Sequence, residues 1–216
     1  MFRDVLLVGG HEGLPGEGLA VRDLHFLAAR PGSAVVVPMT LGRDPELIEH
    51  TAQALKWAAR ERHAGELLLA RPLGAATDLI GWLRAAACRA GSDAVLIVAP
   101  ASSPEQDAEL FKVARLVRQY SPVRWVEVAL IGGDPDVAEG VARCHRLGAR
   151  DVTVLPAAFV LPEPVEGARI GGPLLGGAAL AGLVRQRASA AARRWSRHAD
   201  DGIEAVPHDR HTREHG

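Results

Sequence analysis

The glycine-rich stretch at residues 9–13 holds the side chains best suited to chemistry. It reads Gly-Gly-His-Glu-Gly and follows an apolar run, residues 5–8, with the length and composition of a buried strand. A histidine in such a turn can bind a metal ion or act as a base near neutral pH. The alternative is a structural turn in which the imidazole only bonds a neighbouring carbonyl group. His11 and the adjacent Glu12 are therefore candidate catalytic residues, and both interpretations stay open at this point.

Motifs for several other reactions are absent from the chain. No GxGxxG follows a predicted strand, and neither GxxxxGK[ST] nor GxSxG occurs. We therefore predict a site that uses no nucleotide and no serine nucleophile of that kind. The chain has 25 basic and 26 acidic residues, so its formal net charge is −1. This balance disfavours a nucleic-acid partner bound through phosphate contacts.

The elements that must position these residues alternate between strands and helices. Apolar runs of strand length alternate with helical patterns, which is typical of an α/β fold with parallel sheets and crossover helices. The predicted strands cover residues 4–9, 33–39, 66–70, 93–99, 123–130 and 151–155, and the predicted helices cover 16–30, 45–62, 75–90, 104–120, 135–147 and 176–197. Three of these helices begin with a capping side chain, a proline and an acid, at residues 44–46, 103–105 and 134–136. Such N-termini open at the carboxyl edge of a parallel sheet, where we expect a ligand.

The chain also contains an internal repeat. Residues 5–8 match residues 95–98, residues 35–38 match 153–156, and Pro72 with residues 79–84 matches Pro173 with residues 180–185. The wider spacing in the second copy indicates that the first copy lacks about one helix-plus-strand unit. We therefore predict two related half-domains, residues 1–91 and 92–197, with a cleft between them as the ligand site. Residues 198–216 are polar and are predicted to form a disordered tail.

The sequence also predicts where the protein is located and the state of its two cysteines. The apolar runs are too short to cross a bilayer, and the start of the chain lacks the basic region and long apolar stretch of a signal peptide. We expect a cytoplasmic protein with no membrane partner. Cys88 and Cys144 lie alone in helical patterns and are predicted to be buried free thiols. The oligomeric state stays open, with a homo-oligomer as one option.

Several segments together resemble one protein family. Residues 5–13 read Val-Leu-Leu-Val-Gly-Gly-His-Glu-Gly, and residues 152–159 read Val-Thr-Val-Leu-Pro-Ala-Ala-Phe. Residues 126–130, with Pro135, residues 139–140 and residues 144–149, form a strand-helix unit between them. These motifs resemble the sirohydrochlorin chelatase family, CbiX/SirB, over about residues 4–187. The first strand of that family ends in Gly-His-Gly-Ser-Arg, whereas here the histidine is displaced by one position and Ser-Arg is missing.

The resemblance implies a class II chelatase-like fold and a metal-inserting enzyme. Such an enzyme would insert Co2+, Fe2+ or Ni2+ as a substrate into sirohydrochlorin, a tetrapyrrole, in cobalamin or sirohaem biosynthesis. His11 would hold the ion and accept pyrrole protons, and Glu12 would be a second proton acceptor or ligand. Arg43 and Arg71 each follow a strand, so they are the candidates for binding the carboxylates of the macrocycle.

The resemblance also implies a second histidine that binds the metal ion. Family members carry a second histidine shortly after a Pro-Leu-Phe-Leu strand, but residues 37–44 contain none. His50, in the first turns of the following helix, is the candidate, and a solvated helix residue is the alternative. Two other functions therefore stay open. One is a non-catalytic tetrapyrrole- or metal-binding paralogue of the chelatase fold, and the other is a small-molecule enzyme of another kind.

Overall fold

The computed structural model describes residues 3–13 and 18–204 of the chain. The strands are β1 Asp4–Gly9, β2 Ala34–Met39, β3 Leu67–Leu69, β4 Ala94–Pro100, β5 Trp125–Ile131, β6 Val152–Pro156 and β7 Arg169–Ile170. The α-helices are α1 Pro45–Ala58, α2 Ala76–Ala90, α3 Pro104–Gln119, α4 Val137–Arg146 and α5 Gly177–His198, and two 3-10 helices cover Val21–Ala28 and Ala59–Glu61.

The strands form two parallel sheets, as the α/β prediction requires. The first sheet has the order β1-β2-β3 and the second has the order β5-β4-β6-β7. Every residue of β2 is buried, because helices cover both faces of the sheet and the Val-rich sequence can fill both sides. All six predicted strands are present within two residues of their predicted ends. The two-residue strand β7 was not predicted, since it is too short to give a pattern.

The strand order reproduces the internal repeat. Strands β1, β2 and β3 lie in the same order as β4, β6 and β7, and helices α2 and α5 follow them in each copy. The second copy contains the additional unit β5-α4, so the first sheet is smaller by one strand. Two related half-domains with parallel sheets flanked by helices are therefore the architecture of the chain.

The two copies exchange their last helices. Leu79 and Leu83 of α2 are fully buried in the core of the second sheet, although α2 follows the first sheet in the chain. Ala188 and Ala191 of α5 pack in turn against the first sheet. The predicted boundary at residue 91 therefore separates the two sheets but does not coincide with the units that pack together.

Three local predictions need correction. Residues 199–204 do not belong to a disordered tail, since Ile203 is buried in the first core and the Leu69 N–H donates to the Asp201 carbonyl at 2.9 Å. Residues 205–216 lie outside the described residues. The helix predicted from residue 16 is a 3-10 helix, Val21–Ala28, and residues 14–17 lie outside the described part. Helix α4 begins at Val137, because the Asp136 carboxylate caps it by accepting from the Glu139 N–H at 2.8 Å.

The cysteines and the membrane prediction can be examined within the described part of the chain. Cys144 is buried as predicted, but Cys88 is exposed, because its neighbour Ala87 is the residue that faces the core. Of the helices in residues 3–13 and 18–204, none combines the length and the apolarity that crossing a bilayer demands.

Candidate functional site

A cavity of about 360 Å³ lies at the carboxyl edge of the first sheet, where the second half meets it. Because β1 and β2 pair in parallel with Gly9 opposite Met39, the turn after β1 lies beside the segment that follows β2. The wall is formed by Gly9, Gly10, His11, Val21, Asp44, Glu46, Leu47, His50, Ser102, Ser103 and Gln106. The N-termini of α1 and α3 both open here, and their helix dipoles favour an anionic group in the cavity.

His11 is held by a carboxylate from the start of α1. Its Nδ1 lies 3.0 Å from Oδ2 of Asp44, and its backbone N–H donates to the same oxygen at 3.2 Å. Only a glycine fits before it, since a Cβ on Gly10 would lie 2.1 Å from Asp44 Oδ2. The Nε2 atom of His11 is buried and has no hydrogen-bond partner. With the proton on Nδ1, the free lone pair is on Nε2, which is the arrangement of a metal-binding histidine supported by a carboxylate.

Asp44 therefore has two functions, of which the sequence revealed one. Its Oδ1 caps α1 by accepting from the Leu47 N–H at 2.9 Å, as the residue pattern predicted. Burial alone would raise the pKa of Asp44, but the hydrogen bonds from His11 and Leu47 and the charge of His11 outweigh it and lower the pKa. The carboxylate is thus kept ionised beside the imidazole. No sequence signal marks this second contact, because it depends on the parallel pairing of β1 and β2.

Glu12 is fully buried and is not on the cavity wall. Its Oε2 accepts from the Thr40 hydroxyl and from the Leu41 N–H, the latter at 2.9 Å, whereas its Oε1 has no hydrogen-bond partner. Burial raises the pKa of Glu12, although Thr40, Leu41 and the nearby Arg43 oppose that effect. The carboxyl group therefore ties the turn to the segment after β2 and does not face the cavity.

Arg43 is also buried, with 2 % of its surface exposed. Its guanidinium donates to Asp107 Oδ1 at 3.1 Å and to the Gln106 carbonyl at 3.3 Å, so it joins the first half to the start of α3. Burial lowers the pKa of Arg43, while the carboxylates of Glu12 and Asp107 oppose this shift. This burial argues against the predicted contact between Arg43 and a substrate carboxylate.

The remaining predicted residues lie in different places. His50 is exposed and lines the same cavity as His11. Arg71 is exposed after β3 but lines a separate groove with arginines of α5. The structure thus brings His11 and His50 together and leaves Glu12, Arg43 and Arg71 off the cavity wall. Within residues 3–13 and 18–204, no group of three or more His, Cys, Asp or Glu side chains is arranged to hold a metal ion.

In the second half, the segment after β6 contacts the turn that carries His11. After β6, the Phe159 N–H donates to the Glu12 carbonyl at 2.9 Å, and a Cβ on Gly13 would lie 2.6 Å from Val160. Gly13 has a φ of 82°, so a glycine suits this position both in backbone conformation and in space. The contact fixes the turn from the opposite half-domain.

The match to a known protein family lies in the second half of the chain. A model of the CbiX family matches residues 94–161, which include β4, β5 and β6. A sirohydrochlorin cobaltochelatase from Priestia megaterium is 26% identical over 132 residues, which are 56% of this chain and 43% of that protein. The chain thus spans less than half the length of this curated relative. The family match does not include His11, Asp44 or His50.

Solved structures match nearly the whole chain, at low identity. SirB from Bacillus subtilis with Fe3+ is 12% identical with a TM-score of 0.55, and the match covers 94% of this chain and 99% of SirB. CbiX, described as the terminal enzyme for siroheme biosynthesis in denitrifying bacteria, is 15% identical with a TM-score of 0.53, covering 88% and 99%. The sirohydrochlorin chelatase SirB from Bacillus subtilis subspecies spizizenii in complex with cobalt is 13% identical with a TM-score of 0.52, covering 89% and 97%. These matches establish a shared fold.

Proposed function

We propose that the chain is a divergent member of the CbiX/SirB family and that it inserts a divalent metal ion into sirohydrochlorin. The observation that carries this proposal is the cavity between the half-domains. His11 lies on its wall together with His50; the Nε2 atom of His11 is buried and has no partner, and Asp44 holds the ring. Co2+ and Fe2+ are the first substrates to test, since related SirB structures are described with cobalt and with Fe3+. Ni2+, and the choice between cobalamin and sirohaem biosynthesis, belong to the same proposal.

The reaction exchanges one divalent ion for two pyrrole protons. We assign to His11 Nε2 the first contact with the ion and to His50 a second one, since both residues line the cavity. When the ion passes to the four pyrrolic nitrogens, the lone pair of His11 becomes free and can accept one of the protons. The resulting imidazolium would be stabilised by Asp44, whose lowered pKa keeps it anionic. Solvent can take the second proton, because the cavity is open and His50 is exposed.

Orientation of the macrocycle requires groups other than those first predicted. The helix N-termini of α1 and α3 are the sites to which we assign its carboxylates, and Ser102, Ser103 and Gln106 lie on that wall. Glu12 and Arg43 receive positioning roles, because they hold the turn and the half-domain contact without reaching the cavity. A volume of about 360 Å³ is near the lower end for ligand pockets. We therefore expect one edge of the macrocycle to enter the cavity.

A non-catalytic tetrapyrrole- or metal-binding protein is the second candidate. The observation favouring it is that, within the described residues, no three metal-ligating side chains are arranged around one point. Such a protein would bind sirohydrochlorin without accelerating metal uptake.

One absorbance experiment separates the two candidates. Sirohydrochlorin is mixed with Co2+, or anaerobically with Fe2+, in the presence and absence of the protein, and metal insertion is followed by the change in its spectrum. A rate that increases in proportion to protein concentration supports the enzyme. A protein-bound spectrum with the protein-free insertion rate supports the binding protein, and an unchanged spectrum and rate contradict both.

A further inference from the structure

A second cavity, with a volume of about 340 Å³, lies between α5 and the segment that follows β3. Its charged wall consists of Arg71, Arg187, Arg193, Arg194, Arg197 and His198, and no acidic residue lines it. We call this cavity the arginine groove. The whole chain carries a net charge of only −1, so five arginines on one wall are a marked local concentration of positive charge.

Two of these arginines are fixed in place by the backbone of the first half. Arg187 donates to the Leu73 carbonyl from Nε at 3.1 Å and from a terminal nitrogen at 2.8 Å. Arg194 donates to the Leu69 carbonyl at 2.6 Å. Acidic partners lie off the groove wall, with Asp78 at 3.6 Å from Arg187 and Asp200 at 3.3 Å from Arg194. The carbonyl contacts orient both guanidinium groups before any ligand arrives.

The other three arginines have no partner within the described residues. Arg71, Arg193 and Arg197 are exposed, and none of them forms an ion pair or a hydrogen bond in residues 3–13 or 18–204. Arg193 and Arg197 are four residues apart on α5, so their like charges lie on the same helical face and repel each other. Ala190 and Ala191 also line the groove, and their small side chains let a ligand approach the helix closely.

We propose that the arginine groove binds a small polyanion that carries two or more carboxylate or phosphate groups. Guanidinium groups match both oxyanions through paired N–H donors, and the volume of the groove is within the range of small-molecule pockets. An anion there would also relieve the repulsion among the unpaired arginines. The wall of the groove shares no residue with the wall of the His11 cavity, so this is a separate binding site that goes beyond metal insertion.

Titration calorimetry on the full chain at low salt tests the proposal, with two probes that separate the sources of the anion. Tripolyphosphate represents a phosphate ligand and citrate a polycarboxylate ligand. We expect at least one probe to bind the wild type. Its affinity should fall about tenfold in Arg71→Gln and further in the Arg193→Gln/Arg197→Gln variant, because each removed guanidinium loses a charge-assisted contact. The control is Arg185→Gln, which removes an exposed arginine of α5 that is not on the groove wall, and its affinity should equal that of the wild type.

The outcomes that overturn the proposal are distinct from those that overturn metal insertion. Absence of binding by both probes, or an equal loss in Arg185→Gln, would exclude a specific groove. Citrate or tripolyphosphate binding that is unchanged in all the groove variants would place the anion elsewhere and contradict the proposal. Groove binding that survives in His11→Ala supports the proposal even if the wild type does not accelerate metal insertion.

Discussion

Replacing Asp44 with asparagine should separate the two contacts that this side chain makes. The asparagine side chain keeps an oxygen for the Leu47 N–H, so the cap of α1 can persist. Its amide nitrogen, however, cannot accept the proton on Nδ1 of His11, which now lies 3.0 Å from a carboxylate oxygen. The amide would instead donate to Nδ1 and leave the proton on Nε2, which is the atom assigned to the metal ion. Asp44→Asn should therefore impair metal binding more than it impairs folding.

The expected magnitudes follow from the contacts that each variant loses. Asp44→Ala loses the cap, worth about 1 kcal/mol, and the hydrogen bonds with His11, worth about 1 kcal/mol more, so its free energy of unfolding should fall by about 2 kcal/mol. Asp44→Asn should lose only about 1 kcal/mol, because the cap remains. Loss of a carboxylate that supports a metal-binding histidine typically lowers metal affinity about 10–100-fold, and we expect this in both variants.

Urea denaturation and titration with Co2+ measure the two effects separately. Asp136→Ala is the matched control, because Asp136 caps α4 through the Glu139 N–H at 2.8 Å and is not on the cavity wall. It should lose about 1 kcal/mol of stability without any change in Co2+ affinity. Wild-type Co2+ affinity in Asp44→Asn would refute the role given to the His11–Asp44 contact.

Three further predictions concern buried groups. Burial raises the pKa of Glu12, so the folded state disfavours its charged form. The wild type should therefore lose stability relative to Glu12→Gln as the pH rises above 4.5. A stability difference that urea denaturation finds independent of pH would contradict this. Arg43→Met removes the charged partner of Asp107 in the other half-domain, although Asp107 still accepts from the Ser102 N–H, and it should lower the free energy of unfolding by about 3 kcal/mol. A change below about 1 kcal/mol would mean that the contact is weak. In the folded protein, Cys88 alone should react with Ellman's reagent near pH 8, because Cys144 is buried and burial raises the pKa of Cys144 to about 11. Reaction of both thiols before unfolding would contradict this.

The strands could be predicted from the sequence because parallel strands covered on both faces need continuous apolar runs. Strand β2 and its repeat partner β6 both follow this rule, and so the two-sheet architecture was predictable. The exchange of α2 and α5 was not, since an amphipathic pattern identifies a buried face but not the sheet that covers it. Strand β7 is set by its pairing with β6 and has no local pattern of its own.

The candidate site was predictable only in part, for a similar reason. A position after a strand places His11 at the ligand-binding edge of the sheet, and the structure has it there. The same argument placed Arg43 and Arg71 at that edge, but it could not tell which way each side chain points. Arg43 points inward to Asp107, and Arg71 points to the arginine groove. The contact between His11 and Asp44 depends on strand register, which the sequence does not specify.

The initial rate of Co2+ insertion into sirohydrochlorin by histidine variants tests the central claim most directly. His11→Ala should lower the rate to that without protein while tetrapyrrole binding is retained, and an equal loss in His50→Ala would make His50 the second ligand. The matched control is His63→Ala, since His63 is exposed and is not on the cavity wall, and it should insert the ion at the wild-type rate. If His11→Ala accelerated insertion as well as the wild type does, the chemistry would lie elsewhere and the assignment of this cavity would be wrong.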